Sequence, residues 1–211
     1  MRILLAGATG LVGSHALSLL LDEPRCTAVI APTRRPLDRR HRKLDNPVLD
    51  FNGLGQAAHA WQVDAAICAL GTTIAIAGSR EAFRRVDHDY PLALAEALHA
   101  QGTTVFVLNS AMGADVGSRF FYSRVKGELE RDLRALRFDS LVLVRPGLIG
   151  GERSAPRAGE RMASVVLATL APVLPRAWRI NPAPVIARAM VEAALAPVPG
   201  ERVIGSAQLV G

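Results

Sequence analysis

Short, unbroken apolar runs alternate along this chain with longer stretches whose apolar positions recur at helical spacing. The first run, Arg2-Ile3-Leu4-Leu5-Ala6, ends at Gly7, and an apolar stretch, Ala16-Leu17-Ser18-Leu19-Leu20-Leu21, follows at helical length. Further runs fall at residues 27–31, 48–51, 65–70, 103–108 and 141–144, with a short last one at 202–204. Residues 80–100, 118–136 and 184–195 read as helices, and Pro91 marks a kink or a fresh start in the first of them. Strands that are apolar throughout, with helices between them, predict a parallel sheet covered on both faces. The fold class expected is α/β, a doubly wound parallel sheet.

After Arg145-Pro146-Gly147 the pattern loosens. Residues 150–184 are rich in Gly, Pro and Arg and hold one apolar helix candidate at 162–170. The expected organisation is a single domain over residues 1–211, with residues 148–184 forming much of a small C-terminal cap on the substrate side. At 211 residues, half of them hydrophobic and only 5% aromatic, the chain suits one sizeable core of Ala- and Leu-rich helices on a sheet.

The first turn adds chemistry to this pattern. Gly7-Ala8-Thr9-Gly10-Leu11-Val12-Gly13 sits between a strand and a helix. There, backbone N–H groups and the positive end of a helix dipole can meet a diphosphate. In such sheets ligands lie at the carboxyl ends of the strands, so each following loop is a candidate. Thr33, Arg34 and Arg35 follow the second strand, where an NAD-binding chain usually places an acid for the ribose diol. Arginine instead offers a planar fork for a phosphate, which predicts NADP(H) ahead of NAD(H), with Arg34 foremost. Asp50 and Phe51 would receive the adenine. Ala69, Leu70, Gly71 and Thr72 would let a small backbone approach the ribose.

A second cluster is Ser110, Tyr122 and Lys126. Ser110 follows the fifth strand, and Tyr122 and Lys126 stand four apart on one helix face. A neighbouring ammonium favours the phenolate, which readies Tyr122 as a general acid/base. Ser110 would donate to a substrate carbonyl oxygen, and Lys126 would also hold ribose hydroxyls.

The formal charge of +6 rests almost wholly on arginine, since only Lys43 and Lys126 are lysines. With no aromatic interleaving, zinc spacing or helix-turn-helix signature, this reads as a solvated surface, and nucleic-acid binding is not expected. Cys26 and Cys68 have no metal-type spacing, and the histidines offer no ligand pair, so no metal is expected. Asp87 and Asp89 flank His88 and read as a polar helix surface. No window matches a signal peptide or a membrane span, and two thiols suit a reducing compartment. A cytoplasmic location is expected.

The chain resembles the short-chain dehydrogenase/reductase superfamily, in its atypical, Tat-interactive-oxidoreductase-like branch. The resemblance rests on the glycine turn, Leu70-Gly71-Thr72-Thr73, Val86-Asp87-His88-Asp89-Tyr90 and Gly113-Ala114-Asp115. It continues through Tyr122-Ser123-Arg124-Val125-Lys126-Gly127-Glu128 and Arg145-Pro146-Gly147-Leu148. It implies a Rossmann fold that binds NAD(P). It also implies Ser110, Tyr122 and Lys126 as the catalytic trio, and Pro146 and Gly147 passing near the nicotinamide. Many members carry a proton-relay asparagine where this chain has Asp87, His88 and Asp89. The short cap argues against a bulky nucleotide-sugar substrate.

Two readings follow. One is an NADP(H)-dependent oxidoreductase reducing a small carbonyl compound, as a monomer or homodimer; an isomerase or epimerase using the cofactor transiently stays open beside it. The other is an NADP(H)-binding regulator that acts through a protein partner.

Overall fold

The computed structural model describes residues 1–150, 175 and 179–210. The predicted helix at 162–170 and most of the predicted cap lie outside the described residues.

Seven parallel strands form one sheet. They are β1 (Arg2–Ala6), β2 (Ala28–Ile30), β3 (Leu44–Asp45), β4 (Ala65–Cys68), β5 (Val105–Asn109), β6 (Ser140–Arg145) and β9 (Gly200–Gly205), in the order β3-β2-β1-β4-β5-β6-β9. The order runs outward in both directions from the β1–β4 pair, so the topological switch lies between the ends of those two strands. β7 (Ile149–Gly150) and β8 (Asn181–Pro182) pair separately. This is the doubly wound, Rossmann-like sheet that the apolar runs predicted.

Strand alternation divides the core into two. Ile3, Leu5, Ala65, Ile67, Val105, Val107, Val142 and Val144 pack with α1 (Leu11–Asp22) and α7 (Ala183–Leu195). Leu4, Ala66, Cys68, Phe106, Leu108, Leu141 and Leu143 face α2 (Leu54–Ala58), α5 (Tyr90–Ala100) and α6 (Phe121–Leu136). Burial of both faces explains why these strands carry no polar alternation.

Two elements differ from expectation. The third strand falls at Leu44–Asp45 and not at 48–51. Pro47 interrupts it: in this register the Ala31 carbonyl faces a proline nitrogen with no N–H, and Asn46 Nδ2 donates to that carbonyl instead at 2.6 Å while its Oδ1 accepts from the Leu37 N–H at 2.9 Å. Pairing resumes for the single bridge Thr33↔Val48, after which Asp50 caps a 3-10 turn at Phe51–Gly53. The second difference lies within residues 80–100. After the short α3 (Ile74–Ala77), α4 (Arg80–Arg84) passes through a π turn, Arg85–Asp89, before α5 begins. Pro91 has no N–H to give the preceding turn, and the widened turn absorbs that loss.

Candidate active site

The glycine turn closes against the switch point. Gly7 has φ +90°, and a Cβ there would stand 2.6 Å from the Ala69 carbonyl carbon and oxygen at the end of β4. A Cβ on Gly13 would overlap the Gly7 carbonyl. Only a residue without a side chain lets strand, turn and helix come this close. The Gly10 N–H donates to the Gly7 oxygen at 2.9 Å, and α1 starts at Leu11 with no side chain capping its first N–H groups. The N–H groups of Leu11, Val12 and Gly13 thus open the helix beside the exposed Thr9 and Gly10. This cradle fits the diphosphate of a dinucleotide.

Beyond β2, Thr33 is buried. Its hydroxyl donates to the Arg35 carbonyl at 2.6 Å and accepts from Asn46 at 2.8 Å, leaving Arg34 and Arg35 exposed. Asp50 is held below the usual carboxylate range, chiefly by the backbone and side chain of Asn52, with Arg34 adding to the effect. Phe51 is buried beneath Tyr90 in an edge-on contact at 6.2 Å, and the Tyr90 hydroxyl donates to Asn52.

Across the switch point, Gly71 and Thr72 bring the β4 loop to α6. The Thr72 N–H donates to Asp87 Oδ2 at 2.8 Å, and Asp87 Oδ1 is 2.8 Å from Lys126 Nζ. A Cβ on Gly71 would lie 3.5 Å from that carboxylate and 4.0 Å from the ammonium, so the pair sits directly beneath the loop. Asp87 is 1% exposed and Lys126 3%. Burial works against the Lys126 charge, but Asp87, Tyr122 and Cys68 outweigh it and raise the ammonium above the ordinary lysine value. Burial likewise pushes the Cys68 thiol up to about 11.

Asp87 corrects the reading of a polar helix surface. It lies four residues from Phe83 and four from Pro91, both buried. That spacing put a carboxylate on the apolar face, where a cation must accompany it, and this was the signal available in the sequence. His88 is buried as well, its ring nitrogens 2.8 Å from Asp89 and 3.0 Å from Asp132 of α6. Arg84 also pairs with Glu128. The π turn is thereby fastened to α6 at Lys126 and Asp132, and the end of α4 at Glu128.

Tyr122 stands one turn before Lys126, partly exposed, with its ring 5.7 Å from Phe83. Gly127 shapes the wall beside it: a Cβ there would come 2.5 Å from the Val116 nitrogen and 2.6 Å from the Asp115 nitrogen. The Asp115 N–H donates to the Ser123 carbonyl at 3.1 Å, laying the post-β5 loop across α6.

Ser110 is placed differently from the expected substrate donor. It is buried, and its hydroxyl donates to Glu130 Oε1 at 2.6 Å. Glu130 also accepts from Arg145 Nε at 2.9 Å and pairs with Arg134. Glu130 escaped the sequence reading although it lies four residues from Lys126 on the same buried face. The Pro146-Gly147 turn is held from both sides: the Met112 N–H donates to the Pro146 carbonyl at 2.8 Å, and the Gly147 N–H donates to Asn181 Oδ1 at 2.7 Å. Among the described residues no group of His, Cys, Asp and Glu could hold a metal ion, and no helix is long and apolar enough to cross a membrane.

Known proteins resemble this chain in sequence or in fold. Protein fmp52, mitochondrial, of Emericella nidulans is 36% identical over 215 residues, covering 97% of this chain and 92% of that protein. Protein HTATIP2 of Rattus norvegicus is 34% identical over 206 residues, covering 94% and 83%. The Bordetella bronchiseptica enzyme WbmH, solved in complex with NAD+, superposes with a TM-score of 0.70 at 17% identity, covering 97% of this chain and 75% of that one. At that identity the likeness shows the fold alone. The expected cytoplasmic location is corrected by the first of these names, which is mitochondrial. Two buried free thiols do not discriminate between these compartments. Residues 3–168 match the model of the NAD dependent epimerase/dehydratase family, and with these relatives along nearly its whole length the chain belongs to that family.

Proposed function

We propose that this protein is an NADP(H)-dependent oxidoreductase that reduces a small carbonyl compound. The observation that carries this reading is Tyr122 and Lys126 on one face of α6, with Lys126 buried and paired to Asp87 beneath the Gly71 loop, beside the glycine cradle. The N–H groups of Leu11, Val12 and Gly13 would hold the diphosphate, Arg34 and Arg35 a 2′-phosphate, and Asp50 and Phe51 the adenine side. When bound, the nicotinamide supplies hydride chemistry.

Tyr122 keeps its proton at Oη for the carbonyl oxygen, and the Lys126 ammonium stabilises the phenolate left behind. Lys126 is also placed to donate to ribose hydroxyls. Ser110 can reach a substrate oxygen only by leaving Glu130. We therefore assign it a positioning role, tying the β5 end to α6, in place of the substrate-donor role.

The test follows NADPH and NADH oxidation over a panel of small aldehydes, ketones and quinones, alongside Tyr122→Phe. The expected result is preference for NADPH and a loss of about 10²- to 10⁴-fold in turnover for Tyr122→Phe, with cofactor binding unchanged. Undiminished turnover in the variant would sink the role of Tyr122. A second reading, a cofactor-sensing protein that acts through a protein partner, is favoured by the commitment of the Ser110 hydroxyl to Glu130. It predicts NADPH binding with no turnover on any member of the panel.

A further inference from the structure

One polar atom at the carboxyl edge of the sheet has no hydrogen-bond partner among the described residues. Asn109 is the last residue of β5, in an otherwise wholly apolar strand, and its Oδ1 is buried with no hydrogen-bond partner among the described residues. An amide oxygen left in this condition costs roughly 1–3 kcal/mol, so such atoms are rare unless something outside the chain satisfies them.

The sheet register says where that something would be. Alternation along β5 puts Asn109 on the face of Val105 and Val107, which is the face of α1 and its glycine cradle. Asn109 pairs with Val144 of β6 on one side. On the other side Leu108 pairs with Cys68, which brings Ala69 beside Asn109. Ala69 is in turn the residue that Gly7 abuts. Gly7, Ala69 and Asn109 therefore occupy three neighbouring strand ends, each about 4.8 Å from the next. A dinucleotide lying with its diphosphate at α1 and its 2′-phosphate end at Arg34 presents its other end to β5. The Pro146-Gly147 turn, fixed by Met112 and Asn181, closes the far side.

We infer that Asn109 is a cofactor-binding residue whose side-chain oxygen accepts a hydrogen bond from the carboxamide of the nicotinamide. The inference rests on the proposed NADP(H) site. It adds the group that recognises the nicotinamide end and sets which way the ring faces. The carboxamide NH₂ is a donor of matching chemistry for the buried oxygen, an acceptor that no described group satisfies.

The experiment compares NADPH with 2′-phospho-ADP-ribose, the same molecule without its nicotinamide, by calorimetric titration of wild type and Asn109→Leu. Urea denaturation of the ligand-free proteins runs in parallel. Leucine keeps the branching and heavy-atom count of asparagine and removes the orphaned oxygen. The expected outcome is NADPH binding weakened roughly tenfold to a hundredfold, 2′-phospho-ADP-ribose binding unchanged, and a ligand-free stability no lower than wild type. Asn109→Ser, a smaller change, should show the same split. Unchanged NADPH affinity in both variants would overturn the inference. So would equal weakening of both ligands or a drop in ligand-free stability, which would mark Asn109 as structural. Failure of the wild type to bind either ligand would instead remove the cofactor site itself, and this inference with it.

Discussion

Lys126 and Asp87 are the residues on which the site's electrostatics turn. Two charges brought wholly out of water are tolerated only because each completes the other and Thr72 takes the remaining carboxylate oxygen. Removing one partner strands the other. Asp87→Ala should destabilise the fold by about 3–5 kcal/mol in urea denaturation, whereas a surface carboxylate changed to alanine shifts stability by no more than about 0.5 kcal/mol. The same pair sets a pH dependence. The folded Lys126 holds its proton more tightly than the ordinary lysine value of 10.5. Its contribution is thus fully present below about pH 10.5 and is lost as pH rises through the folded value. Thermal unfolding from pH 8 to 11 should show wild type losing stability at the alkaline end, and Asp87→Ala losing much less there. Equal alkaline losses would remove the pair as the cause.

At the scale of elements, the site is a meeting of termini and turns held by a few close approaches. α1 begins where β1 ends because three glycines remove the bulk that would hold them apart, and α6 accepts the post-β5 loop through Gly127. The π turn joins α4 to α5 and fastens to α6 at Asp132 and Lys126, while the end of α4 does so at Glu128. Gly13→Ala forces a methyl onto the Gly7 carbonyl, so the turn must open. NADPH affinity should fall by at least about tenfold, read by fluorescence titration, alongside a loss of stability. Gly53→Ala, where a Cβ meets nothing within 4 Å, serves as the control and should leave affinity unchanged. A Gly13→Ala protein with wild-type affinity would mean that the cradle does not hold the diphosphate.

For the molecule as a whole, the strand order concentrates function at one place. The halves of the sheet run away from the β1–β4 pair, leaving the Thr33 to Arg35 loop, the glycine cradle, the Gly71 loop and α6 along a single edge. A ligand lying along that edge bridges elements from both halves and both layers. NADPH at 100 times its dissociation constant should stabilise the native state by about 2.7 kcal/mol. That gain would appear as a rise in melting temperature scaling with the logarithm of NADPH concentration. A melting temperature indifferent to NADPH would contradict the proposed site.

Much of this was written in local pattern. Continuous apolar runs, the glycine turn before an apolar helix, and Tyr122 four residues from Lys126 each declare themselves within a dozen residues. Their physics is local: the spacing of side chains on one element and the room a backbone needs to turn. The parallel, doubly wound sheet follows because strands buried on both faces require helices on both faces. The third strand ends at Asp45 because Pro47 has no N–H for the Ala31 carbonyl, which Asn46 satisfies instead, and apolar periodicity does not register a missing donor. Asp87, Glu130 and Asn109 acquired their roles only through tertiary contact. Their partners lie on other elements: Lys126 for Asp87, Ser110 and Arg145 for Glu130, and the shared strand-end edge for Asn109. Local sequence determined which elements form and which faces they bury, since those depend on short-range spacing. Only the assembled fold decided which buried polar groups are paired and which stand open toward a ligand, because the cost of burying a charge or an amide is settled by whatever the rest of the chain brings against it.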